Sequence, residues 1–310
     1  MSLYQPFSDP TLTALGEPRA RVGLQALKTL WLNTGTLCNI TCENCYIESS
    51  PANDRLSYLS LDEVNGFLGE LRRDSWPTEE IGITGGEPFM NPHILPIMQA
   101  CLQRGYRLLV LTNAMRPMLR PKIQAGLLDL AKQFPSMLTL RVSVDHFDPK
   151  IHEQERGADS WQPMIRGLRW LQQNALTFHV AGRTRWGESE AALRQDYQQL
   201  FSELGLNVDA QDSQALVLFP EIDPAAEVPE ITSACWGILD VEPNNTMCAT
   251  SRMVVKHKGA SAPAVMACTL LAYDGQFNLG ATLAQANRTV PLNHASCAKF
   301  CVLGGGSCSG

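Results

Sequence analysis

Between residues 29 and 220 the chain repeats one alternation: a short apolar run, then a longer stretch with helical spacing. This pattern constrains the fold more than any other feature. A strand followed by a helix, repeated, satisfies its backbone as a parallel sheet with helices packed outside. The strand candidates are "TLWLNTG" (29–35), "EIGITG" (80–85), "RLLVLTN" (107–113), "LTLRVSVD" (138–145), "LTFHVAGRT" (176–184) and "ALVLFP" (215–220). The first helix candidate opens on a capping box, Ser60 with Glu63, and sets Leu61, Val64, Phe67, Leu68 and Leu71 on one face. Others fall near 92–104, 118–133, 160–173 and 188–204, the last closing at Gly205.

Two strands show which way their faces point. In 138–145, Leu138, Leu140, Val142 and Val144 oppose Thr139, Arg141, Ser143 and Asp145. In 176–184, Phe178 and Val180 oppose His179, Ala181 and Arg183. A parallel sheet covered on both faces favours continuously apolar strands. Polar faces on consecutive strands predict a curved sheet enclosing a ligand, a partial (β/α)6 TIM-like barrel with its chemistry at the C-terminal strand ends. An irregular α/β sheet with a wet edge is the alternative.

After about residue 221 the texture changes. Pro220, Pro224, Pro229 and Pro243 break the rhythm. "SRMVVKHKG" and "APAVMACTLLAYDG" then predict two strands joined by a Lys/Gly turn, and the tail "CAKFCVLGGGSCSG" is irregular. The expected organisation is an N-terminal extension (1–28), the partial barrel (29–220) and a small cysteine-rich β-hairpin domain (221–310). A net charge of −6 argues against broad nucleic-acid binding. The N-terminus has no basic start before an apolar run, and no apolar stretch is long enough to span a bilayer. A cytoplasmic location with no membrane contact is expected.

In such a chain ten cysteines point to metal or redox use rather than disulfides. Cys101 stands apart among Ile94, Ile97, Met98 and Leu102, and is expected to be a buried core residue. Cys38, Cys42 and Cys45 follow the first strand directly, so they belong to the loop at the mouth of the proposed barrel. Thiolates suit zinc or iron–sulfur clusters. A closed structural zinc site usually pairs two short clusters, and this trio has no nearby partner. The second strand ends in Gly85-Gly86-Glu87-Pro88, where the glycines would admit a ligand to the backbone and Glu87 would offer a carboxylate to an ammonium group.

Together these residues resemble the radical S-adenosylmethionine (SAM) superfamily: Cys38-x3-Cys42-x2-Cys45 followed by Tyr46, "GGEP" after the second strand, and "SVD" (Ser143, Asp145) ending the fourth. The resemblance covers roughly residues 29 to 220. Asn44 departs from it, standing where the family usually carries an aromatic or apolar residue, with Tyr46 as a compensating ring beside the adenine. The resemblance implies a [4Fe–4S] cluster on the three cysteines with one open iron. It implies SAM chelated there, its amino group held by the Gly85–Glu87 segment and its carboxylate or ribose by Ser143 and a basic residue, Arg183 or Arg156. Tyr46, Pro88 and Asn113 complete the implied SAM contacts. The implied reaction is reductive cleavage of SAM to a 5′-deoxyadenosyl radical that abstracts substrate hydrogen, with an electron donor such as flavodoxin or ferredoxin. The cofactor carries this chemistry and the protein orients it. Asp145, His146, Asp148 and His152 are expected near substrate, with His146 as a candidate proton carrier.

The C-terminal Cys235, Cys248, Cys268, Cys297, Cys301 and Cys308 are similar to the superfamily's auxiliary-cluster extensions, the SPASM and twitch domains. Cys248, a hairpin around Gly259, and Cys268 fit the outline, while Cys297-x3-Cys301-x6-Cys308 is spaced differently from the SPASM signature. Two fully cysteine-ligated [4Fe–4S] clusters need about eight cysteines. The expectation is therefore one auxiliary cluster on Cys248, Cys268 and two of the last three. Two clusters would need a further ligand such as His294, and a zinc site is the structural alternative. Glycines 304–306 would admit backbone N–H groups to cluster sulfurs. An auxiliary cluster implies an oxidoreductase-like net oxidation or crosslink of a substrate the sequence does not name, a small molecule or a peptide. Peptide maturation is the alternative, disfavoured because only about 28 residues precede the first strand, too few for a leader-binding domain. A noncatalytic metal-binding scaffold is the alternative of a different class.

Overall fold

A computed structural model describes residues 5–220 and 227–306. A short pair, β1 (Arg21–Val22) with β10 (Val290–Pro291), is antiparallel and sits apart from the main sheet. The main sheet is built from β2 (Thr29–Asn33), β3 (Glu80–Thr84), β4 (Arg107–Thr112), β5 (Leu138–Asp145), β6 (Phe178–Thr184) and β7 (Leu216–Pro220), with β8 (Ser251–Val255) and β9 (Ala264–Met266). Its order is β7-β6-β5-β4-β3-β2-β8-β9, and β2 to β7 are paired parallel throughout. The six expected strands are present, and the sheet is an open, partial barrel.

The helices are α1 (Leu61–Arg73), α2 (Ile94–Gln103), α3 (Pro121–Gln133), α4 (Pro149–Arg156), α5 (Trp161–Gln173) and α6 (Glu190–Leu204). The C-terminal third adds three short ones: α7 (Cys235–Leu239), α8 (Met247–Thr250) and α9 (Leu283–Ala286). At α1, Ser60 accepts from the Glu63 N–H, and Glu63 accepts back from the Ser60 N–H at 2.9 Å, so both orphan donors of the first turn are satisfied. Val64, Phe67, Leu68 and Leu71 are buried. Cys101 is fully buried in α2. α6 ends on Gly205 in the left-handed region, φ 66°.

Two features depart from the reading above. Residues 149–156, assigned to no helix there, form α4. Asp148 caps it by accepting from the Lys150 N–H (2.7 Å) and Ile151 N–H (3.3 Å), and Pro149 occupies the first turn. Its eight residues bury mainly His152 and Glu155, so it lacks the apolar stripe that marks a helix in sequence. Second, the C-terminal hairpin is not separate from the sheet. β8 and β9 pair antiparallel as expected, but β8 also lies parallel against β2, Thr29 opposite Ser251 through Leu32 opposite Val254. The N-terminal segment meets the same region, where buried Arg19 pairs with Glu230.

Candidate functional site

A cavity of about 170 Å³ opens at the C-terminal ends of the strands. Trp31, Thr84, Leu111, Ser143, Asp145, Ala181, Arg183 and Phe219 line it, one or two from each strand from β2 to β7. Ser143, Asp145, Ala181 and Arg183 lie on the faces that alternation assigns to the interior. Cys38, Cys42, Cys45 and Tyr46 enter from the β2–α1 loop, Gly85 and Gly86 from the end of β3, and Asn113 from the end of β4.

The glycines serve the neighbouring loop as much as any ligand. A side chain on Gly86 would put its Cβ 2.2 Å from the Leu37 carbonyl oxygen, and Gly85 has φ 140°. Their closeness lets the Gly86 N–H donate to Gly35 O (2.8 Å) and the Glu87 N–H to Leu37 O (3.1 Å), fixing the backbone just before Cys38. Glu87 is turned away from the cavity. Its carboxylate accepts from Thr112 Oγ1 (2.9 Å) and from the main-chain N–H groups of Asn113 (2.9 Å) and Phe89 (3.2 Å). Burial pushes its pKa up to about 7 against these donors. Glu87 thus braces the second and third loops, and neither it nor Pro88, buried beside it, is part of the cavity wall. Asn113 supports the cysteine loop, its Nδ2 donating to Asn39 Oδ1 at 3.0 Å.

Both candidate arginines converge on Asp145, which sits at a register shift with φ 52°. Arg156 holds it through two bonds, Nε to Oδ2 at 2.7 Å and Nη2 to Oδ1 at 3.2 Å, and Arg183 Nε lies 3.3 Å from Oδ1. Burial opposes the carboxylate charge, but the two guanidiniums dominate and lower its pKa to about 2. Arg183 also stacks over Tyr46, 5.0 Å from its centroid, and donates to Asn44 O. Asn44 in turn binds Glu155, through its N–H (3.0 Å) and its Nδ2 (2.8 Å). At the family's aromatic position the chain thus places a polar tie between the cysteine loop and α4. Glu155, 2% exposed, has no signal in sequence beyond its place beside Arg156.

Of the residues expected near substrate, only Asp145 reaches the cavity. His146 is enclosed by Phe147 and Trp186, accepts the Asp148 N–H at Nδ1 and lies 3.2 Å from Glu188 through Nε2. Asp148 caps α4. His152 is fully buried with Nδ1 on the Val144 carbonyl, and burial lowers its pKa to about 4.

The three cysteines are free thiols lining one cavity. Burial raises the Cys38 pKa to about 12, with Glu87 adding to it, and raises Cys42 against the nearby Arg156 charge. Loading a metal there would release protons. Among the described residues no group of three or more His, Cys, Asp or Glu is arranged to hold a single ion. Three thiols on one cavity are a donor set that suits an iron–sulfur cluster. Ser49 Oγ, buried with no partner among the described residues, lines the same cavity and suits a polar cofactor.

A second, apolar pocket brings together Cys248, Cys268, Cys297 and Cys301. Cys248 precedes β8, Cys268 follows β9, and Cys297 and Cys301 lie one turn apart on the π-helix Cys297–Val302. Burial is the main cause that raises Cys297 and Cys301, and the neighbouring thiols add to it. Leu270 belongs to the walls of both pockets. Cys235 is not brought in; its sulfur faces the Thr232 N–H and hydroxyl at 3.4 Å. Cys308 lies outside the described residues. His294 is also apart, its Nδ1 accepting the Ser296 N–H. Gly304 and Gly306 press on the Lys299 carbonyl and the Phe300 ring instead of the cysteines.

Residues 32–184 match the family model of the Radical SAM superfamily. The match covers just under half of the chain, and that family implies a [4Fe–4S] cluster and SAM as cofactors. It is similar to the subtilosin biosynthesis protein AlbA of Bacillus subtilis, 27% identical over 145 residues, covering 46% of this chain and 30% of AlbA. It is also similar to GTP 3′,8-cyclase of Yersinia pestis, 30% identical over 147 residues, covering 45% of this chain and 40% of that enzyme. The chain thus spans less than half the length of these relatives. In fold it resembles Streptococcus suis SuiB bound to SAM, TM-score 0.59 at 12% identity, covering 83% of this chain and 64% of SuiB. It likewise resembles anSMEcpe with bound SAM, TM-score 0.58 at 14% identity, covering 83% and 80%. No helix among the described residues is long and apolar enough to cross a membrane.

Proposed function

We propose that the protein is a radical SAM enzyme that cleaves SAM reductively and takes hydrogen from its substrate, with net oxidation through one auxiliary [4Fe–4S] cluster. Cys38, Cys42 and Cys45 would hold the first cluster. Cys248, Cys268, Cys297 and Cys301 would hold the second. Bound together, the first cluster and SAM would supply the 5′-deoxyadenosyl radical. Gly85, Gly86 and Ser143 would contact SAM, Tyr46 and Asn113 would shape its pocket, and Arg156 and Arg183 would offer the N–H groups that Asp145 leaves free. The apolar wall of Trp31, Leu111, Phe219 and Leu270 would exclude water from the reacting atoms.

The observation that carries this reading is the meeting of the cysteine loop, the double glycine and the Asp145–arginine group on one cavity. Reconstituted without oxygen and reduced by dithionite or a flavodoxin or ferredoxin, the protein should bind iron and sulfide and release 5′-deoxyadenosine from SAM. Cys42→Ala should abolish the release; release that persists in that variant excludes the assignment. A noncatalytic scaffold would instead hold zinc and turn over no SAM.

A second reading is that the substrate is a peptide. Its support is the similarity to AlbA, a bacteriocin biosynthesis protein, and the fold shared with SuiB, also solved with its precursor peptide SuiA. Deuterium passing from a labelled peptide into 5′-deoxyadenosine would favour it.

A further inference from the structure

Arg252, the second residue of β8, is 1% exposed. It donates to four main-chain carbonyls: Cys248 (2.6 Å), Ser251 (2.8 Å), Ala286 (3.1 Å) and Arg288 (3.1 Å). Arg19 and Arg183 are also buried and Arg156 is partly so, and each of these three faces a carboxylate. Arg252 makes no ion pair with a carboxylate among the described residues. A guanidinium stays cationic at neutral pH, and this one reaches the four-cysteine pocket through the carbonyl of Cys248. Carbonyl dipoles solvate a guanidinium, but a buried charge without a counter-ion remains costly. As thiols, the four cysteines are neutral and supply none. As thiolates around an iron–sulfur core they make the pocket anionic, and reduction makes it more so.

We propose that Arg252 is the counter-charge of the four-cysteine centre and raises that centre's reduction potential. The inference rests on the reading that Cys248, Cys268, Cys297 and Cys301 hold a cluster. The cation stabilises the reduced, more negative state more than the oxidised one. It touches no reacting atom; it acts through the charge of the pocket, with its Nη1 bonded to the carbonyl of one proposed ligand, Cys248.

The test uses full-length protein in which Cys38, Cys42 and Cys45 are alanine, so that only the auxiliary centre titrates. Arg252→Gln should shift the oxidised-to-reduced ratio at the original midpoint by on the order of tenfold, about 59 mV more negative for one electron. Arg252→Lys, which keeps the charge but not the fork of donors, should stay closer to the parent. Equal potentials in all three overturn the proposal while leaving the cluster in place. A parent with no iron and no redox wave overturns the cluster reading itself. If Arg252→Gln does not fold, thermal unfolding of Arg252→Met decides the matter. It should lower the midpoint more in the cluster-loaded parent than in Cys268→Ser/Cys297→Ser protein, where the carbonyls still lose their donors but the arginine has no anion to face. An equal loss in both backgrounds reduces Arg252 to a clamp on carbonyls.

Discussion

At the scale of single residues, Asp145 decides the electrostatics of the candidate site. It is buried, carries a left-handed backbone and faces two guanidiniums. Asp145→Asn keeps the shape but removes the carboxylate that Arg156 faces and leaves Arg183 only Glu155, 3.6 Å away. We expect a loss of about 3–5 kcal/mol in urea unfolding, the usual cost of breaking a buried pair from one side. His152 sets a pH dependence. Its folded pKa, about 4, lies below the 6.5 of an unexposed-to-charge reference imidazole, so over that window the unfolded chain binds the extra proton. The stability is complete above about pH 6.5 and is lost as pH falls through about 4. Between about pH 7 and pH 5 wild-type protein should lose about 2 kcal/mol through this one group. His152→Gln should lose that much less over the same range, and an unchanged slope would acquit the histidine. Neither role is visible in sequence, where His152 and Asp145 read alike as polar residues at the end of a strand. Burial and partners separate them, one sealed beneath the strand and the other at the cavity.

At the scale of elements, alternation and capping carry far. The strand parity of 138–145 and 176–184 and the capping box at Ser60 are local, and each local signal agrees with the packing that follows. α4 was hidden because a short polar helix is held by its Asp148 cap and by Glu155 reaching the cysteine loop, both tertiary facts. The double glycine was legible as a close approach, but not as an approach of protein to protein. Gly86→Ala tests that point. Its methyl would meet the Leu37 carbonyl at 2.2 Å, and relief by moving the loop would displace Cys38. The expected cost is about 1–3 kcal/mol, with the sheet intact by circular dichroism. Iron bound at the first cluster should fall in a background lacking Cys268 and Cys297. Full iron content would show that the contact relaxes without reaching the cysteine.

At the scale of the whole molecule, the barrel and the cysteine-rich region are one sheet. The hairpin of β8 and β9 is local in sequence and was legible; the pairing of β8 with β2 joins residues more than two hundred positions apart and leaves no periodic trace. That pairing matters because all five residues of β2 are buried, Trp31 among them. Without β8, β2 becomes an open edge with apolar side chains, a template for association. The four-cysteine pocket therefore has two separable consequences, one for redox chemistry and one for folding. Cys268→Ser/Cys297→Ser leaves the β2–β8 ladder untouched and should remain soluble by size-exclusion chromatography, with a lower thermal midpoint. A chain ending at residue 234 loses the ladder and all four cysteines of the second pocket, and should aggregate. If the truncated chain instead runs as a stable, compact monomer, the N-terminal barrel folds without its last strands, and the C-terminal region is an appendage rather than the sheet's completing edge.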